Sequence, residues 1–343
     1  MKVPTKVPRK SFQEKGEIPI ISQEADFING YWDDESDAIR VSNPVVVFGD
    51  HTQVLKLIDF DFVVGADGVK ILKPKEFLNA AFLRFFLEAN PVPSLGYARH
   101  FRHISGLEIP LPPLEQQKRI VAVLDQAFAA LDRARAHAEA NLADAANLFE
   151  SWSTAAFKFG AEQWPTKKLP DISENLDRLR VPITKKDRQA GDVPYYGASG
   201  VVDHVAKHIF NEDLLLISED GANLLARTYP IAFSISGKSW VNNHAHVLRF
   251  GDTDTQEFVR LYLNSISIEP WVSGMAQPKL NQKALSKMPI PYPAESDRKR
   301  IVAEAESIWT ASEAAKANYR AQIGDIADLR QSLLQKAFSG QLN

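Results

Sequence analysis

The amino-acid sequence predicts an α+β protein built twice over, in which two β-rich globular regions alternate with two long helices that pair as an antiparallel coiled coil. Three observations predict it. A helix-opening motif recurs: Ile109-Pro-Leu-Pro-Pro113 leads to Lys118-Arg-Ile-Val121, and Met288-Pro-Ile-Pro-Tyr292 leads to Lys299-Arg-Ile-Val302. Lys118 and Lys299 are 181 positions apart, and Leu148-Phe-Glu-Ser151 with Ala156-Phe157 returns at that same offset as Leu329-Arg-Gln-Ser332 with Ala337-Phe338. Strand-like apolar runs precede both motifs. A constant offset over such a length means two equivalent, ungapped elements, hence a pseudo-two-fold internal repeat.

In chain order, the first globular region is expected over residues 1–108 and the first helix over 109–160. The second region is expected over 161–287 and the second helix over 288–343. Val45-Val-Val-Phe48, Phe60-Asp-Phe-Val-Val64 and Val69-Lys-Ile-Leu72 read as strands in the first region. Leu214-Leu-Leu-Ile217, Ile231-Ala-Phe233 and His246-Val-Leu-Arg-Phe250 are their counterparts. A short helical stretch follows each set, Leu78 to Glu88 and Gln256 to Leu263. The regions open alike, with Val7-Pro8 and Gly16-Glu-Ile-Pro19 against Val181-Pro182 and Gly191-Asp-Val-Pro194. Their exits, Gly96-Tyr-Ala-Arg-His-Phe101 and Gly274-Met-Ala-Gln-Pro-Lys279, also correspond. The lead-in Trp164-Pro-Thr-Lys-Lys-Leu-Pro-Asp171 has no counterpart before Val7, so the first region starts late. Its opening strand is expected from the C-terminus, or is dispensable.

Apolar residues in the long segments follow steps of three and four. Ile120, Leu124, Phe128, Leu131, Ala138, Leu142, Ala145, Phe149, Trp152 and Ala156 form one seam, interrupted at Arg135. Ile301, Ala305, Ile308, Ser312, Ala315, Tyr319, Ile326, Leu333 and Ala337 form the other. Such spacing marks a coiled-coil stripe. The Pro-rich lead-ins suit a helix opening, because proline fits the first turn and not the interior.

With 45% hydrophobic and 24% charged residues, the chain has globular composition. It has no cysteine, which excludes disulfides and thiolate metal sites. The absence of an apolar leader or a membrane-length run leads to the expectation of a cytoplasmic protein. The net charge of −3 does not suit a uniformly basic nucleic-acid binder, yet only the surface facing phosphates needs positive charge. Basic clusters recur at matching places: Lys6, Arg9 and Lys10 against Lys185, Lys186 and Arg188. Arg99, His100, Arg102 and His103 similarly match Lys279, Lys283 and Lys287.

The chain resembles the specificity subunits of type I restriction–modification enzymes over nearly its whole length. Residues carrying the resemblance are Ile109-Pro-Leu-Pro-Pro-Leu-Glu-Gln-Gln-Lys-Arg-Ile-Val121 and Leu329-Arg-Gln-Ser-Leu-Leu-Gln-Lys-Ala-Phe-Ser-Gly-Gln-Leu342. Phe48-Gly-Asp-His51, Gly65-Ala-Asp-Gly68, Glu219-Asp-Gly-Ala-Asn223 and Trp240-Val-Asn-Asn-His-Ala-His246 look like sequences of target recognition domains. The resemblance implies two such domains, each reading half of a bipartite, asymmetric site in double-stranded DNA. It implies partners: two modification (methyltransferase) subunits docked on the helices, and restriction (ATPase–nuclease) subunits. S-adenosylmethionine, ATP and magnesium would belong to those partners, with no cofactor on this chain. A related type II system, fused or otherwise, would use the same kind of subunit.

Enzymatic patterns are weak. His244-Ala-His246 has the spacing that places two imidazoles on one strand face, and Asp203, Glu219 and Asp220 could complete a shell for a metal-dependent hydrolase. No further ligand cluster has recognisable spacing. Gly237-Lys-Ser239 resembles the end of a phosphate loop, but Ala232 stands where the earlier glycine is required. Asp297-Arg-Lys299 resembles a nuclease fragment and is better explained as an acidic helix start. A pure scaffold would have no use for two elaborated domains. The expectation is therefore a non-catalytic chain without catalytic or metal-ligating residues.

Reading a sequence takes donors and acceptors at base edges, with separate cations on phosphates. Arg99 and His100 in the first domain, with Gln277 and Lys279 in the second, occupy equivalent exits and are the first candidates for groove contact. Asn223, Arg227, Asn242, Asn243 and His244 come next, with Thr52 and Gln53 as first-domain counterparts. Lys185, Lys186, Arg188, Arg9 and Lys10 suit phosphates. Phe48, Phe62, Phe233 and Trp240 are expected in the core.

Overall fold

The computed structural model describes residues 5–341 other than 66, 67, 94, 95, 97 and 275. Ala66, Asp67, Tyr97, Met275 and Leu342 of the motifs above thus lie outside the described residues. The chain forms two compact units, Met1–Glu139 with Arg320–Asn343, and Ala140–Tyr319. Each long helix contributes residues to both.

In the first unit, strand β1 (Val45–Gly49) lies between β2 (Leu55–Ile58) and β3 (Val69–Leu72), antiparallel to both. Its unbroken apolar run reflects burial on both faces. Val45 and Val47 join Ile21, Ile58, Phe62 and Val64, while Val46 turns toward Ala80, Leu83, Phe86 and Leu87 of helix α1 (Ala80–Ala89). Asn79 caps α1, its Oδ1 accepting the Phe82 N–H at 3.0 Å. A second sheet orders Lys6–Val7, Val63–Gly65, Ile18–Ile21 and Gly30–Trp32, with parallel pairing of Ile20 and Val63. The expected strand at Phe60 starts only at Val63 and belongs to this second sheet.

Helix α2 (Leu114–Gln163) begins directly after Pro113. Gln117, fully buried, fixes its first turn: Oε1 accepts the Asn79 N–H at 2.8 Å, and Nε2 donates to the Phe77 and Pro112 carbonyls. Ile120, Leu124 and Phe128 then pack on Phe82 and Phe85 of α1.

In the second unit, β4 (Leu214–Ser218) lies between β5 (Ala232–Ile235) and β6 (Ala245–Phe250), and Ser173–Asn175 extends the sheet beyond β6. Leu215 and Ile217 face helix α3 (Thr253–Ser265), and Leu214 and Leu216 face the opposite core. A companion sheet pairs Val193–Gly197 parallel to Lys238–Val241, as in the first unit. The lead-in without a counterpart forms Thr166–Lys168, paired antiparallel to Pro289–Pro291. Among the described residues the first unit has no such ribbon.

Helix α4 (Glu295–Phe338) opens through Arg298, which stands where Gln117 does in α2. This buried guanidinium donates to the Pro293 carbonyl at 2.8 Å and to Thr255 Oγ1 at 3.2 Å. The helix ends match too. Phe157 of α2 packs edge-on against Phe258 and Tyr262 of α3, with centroids 5.4 and 5.6 Å away. Phe338 of α4 does the same against Phe82 and Phe86 of α1, at 5.0 and 5.5 Å. The first domain thus receives from the C-terminal end of the chain a phenylalanine anchor; through Gln341, the described residues there form no strand.

Seam contacts within each unit are antiparallel. In the first, the Arg330 guanidinium lies 3.9 Å from the Phe128 ring centroid and pairs with Asp132 at 3.3 Å. In the second, Ser312 Oγ donates to the Ala145 carbonyl at 2.6 Å and Trp309 meets Phe149 edge-on. In the last turn the buried leucine is Leu334; Leu333 is only half-buried.

Candidate nucleic-acid interface

Both units carry the same backbone frame where the central strand ends. In the first, the Asp50 N–H donates to the Gly68 carbonyl at 2.7 Å, and the Asp50 carbonyl accepts the His100 N–H at 2.8 Å. In the second, the Glu219 N–H donates to the His244 carbonyl at 2.9 Å, and the Glu219 carbonyl accepts the Leu280 N–H at 2.8 Å. Each exit segment is thereby pinned beside the end of β1 or β4. Arg99 and Lys279, one residue earlier in each, occupy equivalent places, and both are exposed.

In the first unit, Asp50, Lys70, Ala98, Arg99, Phe101 and Arg102 line an open cleft of about 410 Å³. The Asp50 carboxylate is buried and accepts the Phe101 N–H at 2.8 Å, with Lys70 Nζ 3.6 Å away. Burial alone would raise its pKa, but the Phe101 N–H and the Lys70 charge hold it below the usual carboxylate range. His100 is buried, and its Nδ1 bonds the Asp50 carbonyl at 3.0 Å. It supports the loop from within. Thr52 is exposed and donates to the Gln23 carbonyl, while Gln53 adopts φ 59° in the β1–β2 turn. Arg9 is exposed beside Glu24, a pair too solvated to hold it firmly, and Lys10 is exposed nearby in sequence.

In the second unit, Gln277, Lys279, Asn243 and His244 are exposed. Lys279 Nζ lies 3.1 Å from Glu219 Oε1, and His244 Nδ1 lies 2.9 Å from Asp220. Gly221, at φ 110°, lets the chain reverse so that its N–H reaches the Pro278 carbonyl at 3.0 Å. Asn242 is buried, its Oδ1 accepting the His244 N–H at 2.8 Å. Asn223 is buried as well, donating to the Tyr229 carbonyl and accepting from Thr228. Arg227 turns inward onto the carbonyls of Leu263, Asn264 and Ile266 at the C-terminal end of α3, where a cation is favoured. These three side chains build the loops. Lys185 and Lys186 are exposed on a short 3-10 turn, whereas Arg188 pairs with Asp203 at 2.8 Å and stacks on Tyr195. Phe48 and Phe62 are core residues. Phe233 and Trp240 are only half-buried, and the Trp240 indole donates to the Val181 carbonyl.

The histidine pair does not share one site. His244 precedes β6 in a turn made by Asn242, so strand alternation does not apply to it. His246 instead joins Asp177 and Glu219 in a buried group whose ligand atoms lie within 4.8 Å of one another. Two cations already occupy that group. Arg180 donates to Glu219 at 2.7 Å and lies 3.6 Å from Asp177, and Lys279 lies on Glu219's other oxygen. His246 Nε2 donates to the Leu280 carbonyl at 2.7 Å, and Nδ1 faces Asp177 at 2.6 Å. Burial opposes ionisation of Asp177 and Glu219, but these donors and charges hold both below the usual range. This is an ion-pair network tying four segments together, around Asp177, Glu219, His246 and Lys279, and its chemistry does not suit an added cation.

Lys70, Arg180 and Asp177 were not singled out by the sequence reading, and Asp50 entered only as part of the Phe48-Gly-Asp-His51 motif, with no role of its own. The available signal was position: Asp50 and Glu219 each follow an apolar run that ends a strand.

A family model described as the type I restriction modification DNA specificity domain matches residues 2–139 and 161–311. A Haemophilus influenzae protein described as a type I restriction enzyme specificity subunit is 32% identical over 136 residues, covering 40% of this chain and 35% of that protein. The chain thus spans about a third of that relative's length. Among solved structures, one from a study of complex assembly and conformational transition of the type I R-M system has TM-score 0.65 at 20% identity, covering 89% of this chain and 84% of its own. The HsdS subunit of Thermoanaerobacter tengcongensis has TM-score 0.58 at 21% identity, covering 89% and 82%. These two likenesses concern the fold. Among the described residues, no helix is long and apolar enough to cross a membrane.

Proposed function

The chain belongs to the type I restriction modification DNA specificity domain family, and from that premise we propose that it reads a bipartite DNA site without chemistry of its own. The observation that carries this reading is the repeated frame, which presents Arg99 in one domain and Lys279 in the other from equivalent exit segments. Base edges are read by Arg99, Gln277, Lys279, Asn243 and His244, with Thr52 and Gln53 beside the first set. Arg9, Lys10, Lys185 and Lys186, joined by Lys70 and Arg102, neutralise phosphates, which sets affinity and salt dependence more than sequence choice. His100, Asn223, Asn242, Arg227 and Arg188 shape those loops. Two methyltransferase subunits bound to the helices supply S-adenosylmethionine chemistry, and ATP- and magnesium-dependent restriction subunits join them, all in the cytoplasm.

The test is co-expression with a cognate modification subunit, followed by methylome sequencing. The expected result is adenine methylation at one two-part motif, and none without this chain. Methylation or cleavage of DNA by the purified chain alone would overturn the non-catalytic reading.

A further inference from the structure

The frame contains a feature that base reading alone does not explain: a carboxylate inside each basic rim. Asp50 and Glu219 repel the phosphates that the surrounding cations attract. Both occupy the same backbone position, and both reach the exit segment through the side chain as well. Asp50 accepts the N–H of Phe101, two residues beyond Arg99. Glu219 accepts from Lys279 itself on one oxygen, at 3.1 Å, while Arg180 holds the other at 2.7 Å. Arg180 also donates to the Ala245 carbonyl at 2.7 Å, so Glu219 is anchored to the start of β6. The side chains of Asp50 and Glu219 are only 3% and 12% exposed, too little for either to serve as the principal groove contact.

Resting on the recognition reading above, we infer that Asp50 and Glu219 are paired positioning residues that set the sequence selectivity of one half-site each, by fixing the exit segments and, in the second domain, the Lys279 ammonium. A flexible lysine has three rotatable donors and many rotamers, so unrestrained it binds whichever acceptor is near. Held by Glu219, it presents fewer geometries. The anion weakens nonspecific attraction at the same time, which sharpens discrimination further.

The test is selection from a randomised duplex pool by the full chain, followed by titration of selected and scrambled duplexes at two salt concentrations. Glu219→Gln should loosen one half-site, cutting selected-over-scrambled discrimination roughly tenfold, of the order of one good base contact. Binding to scrambled DNA should rise, and the other half-site should stay unchanged. Asp50→Asn should loosen the opposite half-site. In a Lys279→Ala background, Glu219→Gln should have little further effect on discrimination, because its action passes through that ammonium. A wild-type chain that selects no sequence would overturn the recognition reading and this inference with it. A selective wild type whose Glu219→Gln and Asp50→Asn variants keep both half-site patterns would overturn the inference alone. So would uniform loss of binding to all DNA together with a lowered melting temperature, the signature of a purely structural role.

Discussion

Removing Asp177 tests whether the buried ionic network holds the second domain together. Its side chain is 6% exposed and accepts the Val247 N–H at 2.8 Å and His246 Nδ1 at 2.6 Å, with Arg180 3.6 Å away. Asp177→Ala leaves the Val247 amide unpaired on β6 and deprives His246 of its carboxylate. Breaking a buried pair by deleting one partner costs about 3–5 kcal/mol. Glu219 still compensates Arg180 here, so the lower end, about 3 kcal/mol, is expected. For a unit of this size each kcal/mol moves the melting point by roughly 2–4 °C, giving a fall of roughly 6–12 °C. Tryptophan fluorescence reports it selectively: Trp152, Trp164, Trp240, Trp271 and Trp309 lie in the second unit and only Trp32 in the first. Asp177→Asn, which keeps an acceptor for Val247 but loses the charge, should fall between wild type and alanine. A loss below about 1 kcal/mol for the alanine variant would mean that desolvation already cancels the network's attraction.

Four further outcomes follow from the same structure. Acid should weaken the second unit: Asp177 and Glu219 have folded-state pKa values below their ordinary ones, so their contribution is complete above the usual carboxylate range and is lost as pH falls through and beneath it, as fluorescence-monitored melting from pH 7 to pH 3 would register. Phe157→Ala should cost about 3–5 kcal/mol, because that ring is 2% exposed, and Phe338→Ala should cost less, its ring being only half-buried; urea unfolding compares them. Arg99→Ala should weaken binding to the selected site by about 1–3 kcal/mol and relax one half-site only. Lys185→Ala should weaken all duplexes alike and reduce the salt slope by about 1, which titration across salt concentrations measures.

The architecture was legible because its signals are local and doubled. Periodicity placed both seams, and apolar runs placed β1, β3, β4 and β6 within a residue or two of their ends. The interface was less legible because its partners are remote in sequence: Asp177 meets His246 and Val247 some seventy positions away, and Glu219 meets Arg180 across thirty-nine. No window of local pattern contains such pairs. The inward turn of Arg227 illustrates the same limit, since the carbonyls it serves belong to the end of α3. His244 misled for a smaller reason. The i, i+2 rule holds only where both residues are in the strand, and β6 begins one residue too late.

The spacing of equivalent positions separates what is held constant from what varies. From Asp50 to Gly68 the chain runs 18 residues, whereas Glu219 to His244 takes 25. From Gly68 to His100 it runs 32, against 36 from His244 to Leu280. Yet from Lys118 to Phe157 and from Lys299 to Phe338 the count is the same, 39. Within these spans, length differences fall between the hydrogen bonds of the frame, in the segments that carry the exposed donors and acceptors, and none fall in the helical stretch from each lysine to its phenylalanine, beyond which only α2 runs on, to Gln163. Inserted residues in surface segments cost little free energy, while a single insertion in one helix would rotate its seam by about 100° and expose the stripe. The two domains can thus present different chemistry at their rims without disturbing the frame that aims it.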